Sequence, residues 1–322
     1  MRVRVPATSA NLGPGFDALG LALTLYDEVE AEVTGGGLAI EVSGEGAGTA
    51  GAGERHLVVR AMRAAFAAAG RAQPPGLAVR CINAIPQGRG LGSSAGAVVA
   101  GLLAARALAG AEGAEGAEGD EGDEGGLLAL ATELEGHPDN AAACLAGGLT
   151  IAWQAGAGPR SIRLDLAPAI APVACVPASS MATEAARRAL PATVPHADAA
   201  ANAGRAALLV AALTRAPELL LDATRDLLHE PYRAPLMPAT AEVIGRLRRA
   251  GIAAVLSGAG PSVLALTVTG ETPGPAEVDS IVGQMGKQWH VTPLDVDRQG
   301  ATIQSVPPGV RTRIGDAGQF LA

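Results

Sequence analysis

The sequence contains little lysine and few aromatic residues, and these shortages exclude several functions. Its one lysine is Lys287, so no Walker phosphate loop with its Gly-Lys-Ser/Thr signature is present. A protein-kinase catalytic loop and its Asp-Phe-Gly motif are absent as well. Aromatic residues make up 2% of the 322 positions and the net charge is −8, which argues against a nucleic-acid partner.

Cysteine is also scarce, with three residues at wide spacings inside apolar runs: Cys81, Cys144 and Cys175. This pattern favours reduced core thiols over disulfides or a metal site. Residues 2–5 alternate arginine and valine where a secretory signal would be apolar. No apolar stretch approaches the length of a membrane helix, so we expect a cytoplasmic protein.

The sequence is rich in small apolar residues, and 48% of it is hydrophobic. Residues 85–96 read Ile-Pro-Gln-Gly-Arg-Gly-Leu-Gly-Ser-Ser-Ala-Gly and continue into an apolar, Ala-rich helical pattern. Glycines let the backbone approach an anion closely, and the first turn of the helix adds N–H donors and a positive dipole. The stretch predicts a phosphate-binding loop, although a plain glycine turn with a serine cap would explain the loop alone.

Three further segments place polar residues in apolar surroundings. Residues 6–20 carry Asn11 and Asp17 among turn formers, and residues 133–148 carry Glu135, His137 and Asn140. Residues 257–262 form a Ser-Gly-Ala-Gly-Pro-Ser turn between two apolar strands. An Asx turn would explain Asn11 or Asp17 alone, but the pair suggests a site.

With no lysine in the loop, phosphate charge must be met by backbone dipoles, arginine and a metal ion. Magnesium on a nucleotide needs few protein ligands, and one carboxylate with one hydroxyl is sufficient. We expect Glu135 and Ser94 to supply them. Glu133 competes for the same role, because the sequence does not fix which glutamate points inward.

Periodicity predicts an α+β chain with a boundary near residues 155–170. Residues 21–33 and 38–42 are expected to form an antiparallel pair, and residues 110–126, an acidic Gly-rich repeat, a disordered surface loop. The second half has the order β-α-β-β-α-β, a split βαβ sandwich. Thr183 is expected to cap a short helix, and helices are predicted at residues 55–69, 201–213, 217–229, 238–250 and 275–289.

The loop resembles the phosphate loop of the GHMP kinase superfamily. The four motifs at residues 6–17, 90–94, 135–140 and 257–262, in this order across nearly the whole chain, are together similar to its homoserine kinase branch. The resemblance implies a GHMP kinase fold, with an S5-like N-terminal domain at 1–165 and a ferredoxin-like C-terminal domain at 166–322. It also implies transfer of the ATP γ-phosphoryl group to the side-chain hydroxyl of L-homoserine, with Mg²⁺.

The nucleotide-binding residues expected on this basis are Pro86, Gly88, Arg89, Gly90, Leu91, Gly92, Ser93, Ser94, Ala95, Gly258 and Gly260. The resemblance likewise places seven residues near the substrate: Asn11, Asp17, His137, Asn140, Thr183, Arg187 and Arg233. Homoserine is a zwitterion, so its ammonium suits Asp17 and its carboxylate suits an arginine fork. Structural alternatives remain for Arg187 as a surface residue and for His137 as a turn residue before proline.

The implied catalytic residues are Asn140, Glu135 and Ser94. Mevalonate-type relatives have an aspartate at the position of Asn140, and an amide cannot accept a proton. Phosphoryl transfer through a loose transition state depends mainly on positioning and charge stabilisation. We therefore expect direct attack by the substrate hydroxyl, oriented by Asn140, with Asp139 as the rival base. Another GHMP small-molecule kinase, or a GHMP-fold sensor without turnover, remains an alternative, and the sequence leaves a homodimer open.

Overall fold

The computed structural model describes residues 1–48, 53–111 and 121–305 of the chain. The strands are β1 (Arg2–Ala10), β2 (Leu19–Thr34), β3 (Gly37–Gly44), β4 (Gly76–Asn83), β5 (Leu149–Ala155), β6 (Gly158–Leu164), β7 (Ile170–Pro177), β8 (Ala253–Leu256), β9 (Val263–Val268), β10 (Trp289–Pro293) and β11 (Thr302–Gln304). The helices are α1 (Leu57–Ala68), α2 (Ser93–Ala111), α3 (Glu121–Glu135), α4 (Asp139–Ala146), α5 (Thr183–Arg188), α6 (His196–Thr214), α7 (Leu220–Ala223), α8 (Glu230–Arg233), α9 (Pro238–Arg249) and α10 (Pro275–Gly283).

The first sheet has seven strands in the order β11-β1-β2-β4-β3, with β5 beside β2 and β6 beside β5. Strand β2 is long because its residues alternate between buried apolar and partly exposed polar side chains over most of its length. Helices α1 to α4 cover one face of this sheet, where their small and branched side chains form a continuous core with β1, β2 and β4. Residues 84–92, called the glycine loop below, lie between β4 and α2 at an edge of this core.

The expected antiparallel pairing of β2 with β3 is wrong. Strand β4 lies between them and pairs antiparallel with β2 and parallel with β3. A parallel neighbour requires a crossover, and α1 provides it between β3 and β4. The two glycines at 35 and 36 therefore lead β3 away from β2 instead of folding it back as a hairpin.

The second sheet has the antiparallel order β10-β7-β9-β8, so β7 and β9 are central and the two α-containing connections lie between β7 and β8 and between β9 and β10. This is the order of a ferredoxin-like split βαβ unit and confirms the predicted fold class. Helices α9 and α10 pack on one face. The other face packs against the first half of the chain in a core that joins residues such as Leu21 and Leu264.

Two predicted helices are shorter than expected. Residues 217–229 form a 3-10 turn and the single-turn α7, and the chain then turns because the Asp226 carboxylate accepts N–H bonds from Leu228, His229 and Glu230. Helix α10 ends at Gly283 and β10 begins at Trp289. Competing side-chain bonds and glycines end these helices, and such signals are weaker than the apolar period.

The loop expected at residues 110–126 is wrong at both of its ends, which are helical. Helix α2 extends to Ala111 and α3 already begins at Glu121, while residues 112–120 lie outside the described residues. Thr183 is also not a cap, because Ala182 precedes it as the N-cap and no side-chain bond is made there.

The expectation that no segment is long enough to span a membrane is wrong for α2. Over Ser93–Gly110 this helix is long and apolar enough by composition to cross a membrane, but 61% of the segment is buried inside the fold. The central helix of a folded domain meets the same criterion, so the length of α2 reflects its place in the core.

The predicted domain boundary at residue 165 stays a prediction, and the two halves are closely joined. Strand β11 follows the second sheet in the chain but pairs antiparallel with β1 of the first sheet. The Asp295 backbone also bonds to Thr24, and Asp297 accepts a bond of 2.9 Å from the Tyr26 hydroxyl. The C-terminal half therefore completes the first sheet.

Candidate active site

The glycine loop has a backbone that other residues would strain. Gly88, Gly90 and Gly92 have φ angles of 65°, 78° and 73°, in the left-handed region. A Cβ atom on Gly90 would collide with the carbonyl oxygen of Ser257, and one on Gly92 with the Thr8 hydroxyl. The Gly92 carbonyl accepts the N–H of Gly96 at 2.8 Å, and this is the first hydrogen bond of α2. The N–H groups of residues 93–95 therefore have no partners inside the helix. This end of α2 can hold an anion.

A cavity of about 540 Å³ lies in front of this loop, between the two halves of the chain. From the loop and α2 its wall includes Pro86, Gly88, Gly90, Leu91, Gly92, Ser93, Ser94 and Ala95. From elsewhere it includes Asn11, Asp17, Glu135, His137, Asn140, Thr183, Arg187, Arg233 and Gly258. The structure thus brings most of the predicted site residues to one cavity.

Two predicted nucleotide-binding residues do not line the cavity. The Arg89 guanidinium donates to the carbonyl oxygens of Pro177 and Ala178, at 3.0 and 2.9 Å, because the loop backbone directs it toward the end of β7. Gly260 faces Met237 and Leu256, where its missing Cβ allows close packing. Both residues support the loop from behind.

Ser94 and Glu135, the two residues expected to bind one metal ion, lie together at the N-terminus of α2. Ser94 Oγ donates to Glu135 Oε1 at 2.7 Å, and both residues line the cavity. Burial raises the pKa of Glu135 despite the Ser94 hydrogen bond. Glu133 is exposed on the same helix, so of the two glutamates only Glu135 faces this cavity.

Asp139 holds the polar side chains that lie beside the Ser94–Glu135 pair. It is 2% exposed, and its Oδ1 lies 2.8 Å from His137 Nδ1 and accepts the Asn140 N–H at 2.7 Å. The Asp139 hydrogen bond raises the pKa of His137. The Asn140 side-chain oxygen in turn accepts the Thr8 hydroxyl at 2.8 Å, which fixes the amide with its Nδ2 as the donor. Asn140 is therefore held in one orientation.

Asp17 and Arg187 form a two-point ion pair across the cavity. The Arg187 nitrogens lie 2.9 and 3.2 Å from the Asp17 oxygens, and both side chains are about two-fifths exposed. Asn11 and Asp17 have φ angles of 69° and 52°, a conformation that costs about 1–2 kcal/mol in non-glycine residues. The Asn11 amide compensates by accepting the Asp17 N–H and donating to the Gly258 carbonyl. Such strain is typical of functional loops.

Arg233 is 2% exposed and reaches the same end of the cavity from α8. It donates to the Ala186 and Gly258 carbonyls and to His229 Nδ1 at 3.2 Å. Since Nδ1 accepts this bond, the proton of a neutral His229 is on Nε2 and donates to the Gly13 carbonyl at 2.9 Å. Burial lowers the pKa of His229, and its ring stacks on Phe16.

Several cavity residues carry no distinctive signal in the sequence. Leu57 and Arg60 line the cavity but look like ordinary positions of an amphipathic helix. Thr8, which is buried in β1 and holds Asn140, is one of several small polar residues in the first motif. Asp27 supports the loop from β2, where its Oδ1 accepts the Ala84 and Ile85 N–H groups at 2.7 and 2.8 Å. Its phase in β2 is the signal that marks it, because Asp27 falls in step with the buried apolar residues of the strand and out of step with the acidic residues at 28, 30 and 32.

The cavity offers one pair of side chains that could bind a metal ion. Within residues 1–48, 53–111 and 121–305 no group of three or more His, Cys, Asp or Glu side chains could hold an ion. The Ser94 hydroxyl and Glu135 carboxylate are hard oxygen donors on the cavity wall. They suit a magnesium ion that takes its other ligands from water and phosphate.

The fold and the site together define a small-molecule kinase of the GHMP class. Residues 56–148 match the family model described as GHMP kinases N terminal domain, and residues 199–291 match that described as GHMP kinases C terminal. The homoserine kinase of Streptomyces avermitilis is 54% identical over 303 residues, which cover 94% of this chain and 95% of the relative. The homoserine kinase of Mycobacterium tuberculosis is 48% identical over 91% of this chain and 90% of that protein.

Solved structures agree with these relatives. The crystal structure of homoserine kinase from Cytophaga hutchinsonii aligns with a TM-score of 0.78 at 28% identity, over 94% of this chain and 96% of that one. The chain belongs to the homoserine kinase family of the GHMP kinases.

Proposed function

We propose that the protein transfers the γ-phosphoryl group of ATP to the side-chain hydroxyl of L-homoserine, giving O-phospho-L-homoserine and ADP. The observation that carries this proposal is the shared cavity, which has a phosphate loop at one end and Asp17, Arg187 and Arg233 at the other. The family assignment favours the same reaction, since its curated relatives at 46–54% identity are homoserine kinases.

At the nucleotide end, loop N–H groups and the α2 dipole bind the phosphates in place of a lysine. Ser94 and Glu135 are the residues that would hold Mg²⁺, which when bound neutralises charge on the phosphates. Their mutual hydrogen bond keeps both oxygens at the start of α2. The first turn of α2 thus contributes backbone and side-chain ligands together.

At the substrate end, the Asp17–Arg187 pair matches the charges of an amino acid. An ammonium can replace Arg187 on Asp17, and a carboxylate can replace Asp17 on Arg187, so a zwitterion exchanges for the pair without leaving a charge unpaired. Buried Arg233 adds a second cation at this end. A hydroxylated substrate lacking either charge leaves one partner unsatisfied.

The hydroxyl attacks the γ-phosphorus directly, with its orientation set by Asn140, as the bond from this phosphorus to the ADP oxygen breaks. The hydroxyl proton leaves on the transferred phosphoryl group and passes to solvent. Positioning of this kind supplies a large share of rate enhancement when the transition state is loose. Asp139 acts through His137 and Asn140, which its Oδ1 holds in place.

The variant Asp139→Asn tests whether Asp139 is a base. It keeps an oxygen acceptor, so we expect turnover within about tenfold of wild type. Loss of turnover with ATP and homoserine still bound would identify Asp139 as a base.

A coupled ADP-release assay with homoserine, mevalonate and galactose tests the activity. We expect turnover with homoserine alone, and little with 4-hydroxybutyrate or 3-aminopropanol, which lack the ammonium and the carboxylate respectively. Turnover with mevalonate instead would assign another GHMP kinase activity. Binding of ATP and homoserine without ADP release would indicate a metabolite sensor.

We also propose that the enzyme works in the cytoplasm. Its three cysteines are free and buried, and burial raises the pKa of each thiol well above its ordinary value. Unpaired thiols suit a reducing compartment. Fractionation of cells that express the tagged protein would test this location.

A further inference from the structure

The residues behind the glycine loop connect it to the segment that carries the substrate arginine. Arg89 is held by the end of β7, where its Nε donates to Pro177 O at 3.0 Å and its Nη2 to Ala178 O at 2.9 Å. Its Nη1 donates to Gln87 O at 3.2 Å, within the loop itself. One guanidinium therefore bridges the loop and the second sheet.

A second contact lies beside this bridge. The Met181 N–H donates to the Gly88 carbonyl at 2.8 Å, next to Arg89 in the loop. Residues 178–182 join β7 to α5, and residues 178–180 are exposed. The connection is thus anchored to the glycine loop as well as to the second sheet, where Met181 packs on the core and the Ala178 N–H donates to Gln288 O at 2.8 Å.

Helix α5, which follows this connection, carries substrate-end residues of the cavity. Thr183 and Arg187 line the cavity, and the neighbouring Ala186 carbonyl accepts the Nε of Arg233 at 3.3 Å. The helix has only six residues, so its position depends on what holds its ends. A shift of residues 178–182 would move Arg187 relative to Asp17.

We propose that Arg89 is a positioning residue that couples the nucleotide loop to the substrate arginines through residues 178–182. The proposal rests on the proposed function, because it assigns Arg187 to the substrate carboxylate. When a nucleotide orders the glycine loop, Arg89 is fixed with it, and its bonds to the Pro177 and Ala178 carbonyls hold residues 178–182 in place. Helix α5 is then held in the position that binds homoserine. Arg89 does not line the cavity.

The test compares Arg89→Met, Arg89→Lys and Arg188→Met. Methionine keeps the length of the side chain but has no donors, while lysine restores one charged donor without the fork. Arg188 is the matched control, since it lies on α5 but pairs with Glu184 and is absent from the cavity wall. For Arg89→Met we expect the KM for homoserine at saturating ATP to rise about tenfold, whereas the dissociation constant of ADP measured without homoserine should change less than about threefold, because coupling between two sites is reciprocal and is not felt when one site is empty. We expect an intermediate value for Arg89→Lys and no change for Arg188→Met. An unchanged KM for homoserine, or an equal rise in the dissociation constant of ADP measured without homoserine, would overturn the proposal.

Hydrogen exchange provides a readout that does not need turnover. In the wild type, added ADP is expected to slow exchange of the glycine loop and of residues 179–188 together. In Arg89→Met, ADP should still protect the loop but no longer residues 179–188. Protection of both segments in the variant would contradict the coupling. If the wild type showed no homoserine-dependent ADP release, the proposed function would fail, and the exchange comparison would still decide the role of Arg89.

Discussion

Glu135 and Glu133 lie two residues apart on α3 and have opposite surroundings. Glu135 bonds to Ser94 on the cavity wall, whereas Glu133 is exposed to solvent. If Glu135 holds Mg²⁺, Glu135→Gln removes the charge that the ion requires while keeping the size of the side chain. We expect kcat/KM to fall about 10²-fold or more in ADP-release assays. The control Glu133→Gln should behave as wild type, and equal losses in both variants would remove Glu135 from the metal site.

Asp27 makes stability depend on pH. Burial raises its pKa from 3.8 to about 7, although the Ile85 and Ala84 N–H groups oppose the rise. Between these values the folded protein keeps a proton that the unfolded chain releases, so this stabilisation is complete below the ordinary pKa and is lost as pH rises through about 7.

Asp27→Asn keeps an oxygen acceptor for the same N–H groups but cannot titrate. The free energy of unfolding of the wild type, relative to this variant, should therefore decrease between about pH 5 and pH 8. Urea titrations at both values measure this difference. A constant difference would show that Asp27 does not titrate in this range.

At the residue level, the sequence identifies the groups that lie inside motifs. Asn11, Asp17, Glu135 and Asn140 were predicted because polar residues interrupt apolar segments, and all four line the cavity. Arg89 was predicted as a phosphate ligand, but only the backbone path shows that it turns toward Pro177. A motif specifies which residues are present, whereas the direction of a long side chain depends on tertiary contacts.

The loop that joins β4 to α2 has no room for alanine at Gly92, whereas α2 itself has room for alanine at Gly96. Gly92→Ala places a methyl group against the Thr8 hydroxyl at a φ of 73°, and Thr8 in turn holds Asn140. We expect kcat to fall about tenfold or more, with folding retained. Gly96→Ala is the control, because its Cβ would meet Val5 at an ordinary 3.5 Å inside a helix.

That control should keep its activity and gain up to about 1 kcal/mol of stability from helix propensity. Circular dichroism melts and ADP-release assays on both variants measure these effects. A fully active Gly92→Ala would show that the Thr8–Asn140 contact is not needed.

Pairing between elements was harder to predict than the elements themselves. The alternation in β2 and β3 is clear in the sequence, yet β4 inserts between them after α1. Helix ends were missed where a side chain such as Asp226 captures backbone N–H groups. Apolar periodicity reports burial, but it carries no information about which strand is the neighbour.

At the scale of the whole molecule, the two halves share one core and should unfold together. The core between the sheets joins Leu21 of the first half to Leu264 of the second, and β11 completes the first sheet from the far end of the chain. We expect one cooperative transition in urea.

The two tryptophans make this testable, because Trp153 is in β5 of the first sheet and Trp289 is in β10 of the second. Trp153→Phe and Trp289→Phe each leave one fluorescent reporter. Coincident midpoints in the two variants would support a single cooperative unit. Midpoints separated by more than the stability cost of either substitution, measured by circular dichroism, would show independent domains.

The ferredoxin-like order of the second half was predicted from the succession of its elements and is confirmed by its sheet. The return of β11 to the first sheet was not predicted. Three residues, Thr302–Gln304, are too few to show a period, and their place is set by the open edge of β1. Long-range pairing of this kind follows from the assembled fold.

The lack of lysine around the cavity has a practical consequence. Lys287 is exposed, lies in the turn between α10 and β10, and carries the only side-chain amine in the chain. Acylating reagents, and acetyltransferases in a cell, therefore find no amine on the walls that grip the phosphates. A dye or surface linker attached at Lys287 or at the α-amine of Met1 would report on the enzyme, or immobilise it, with its pocket untouched.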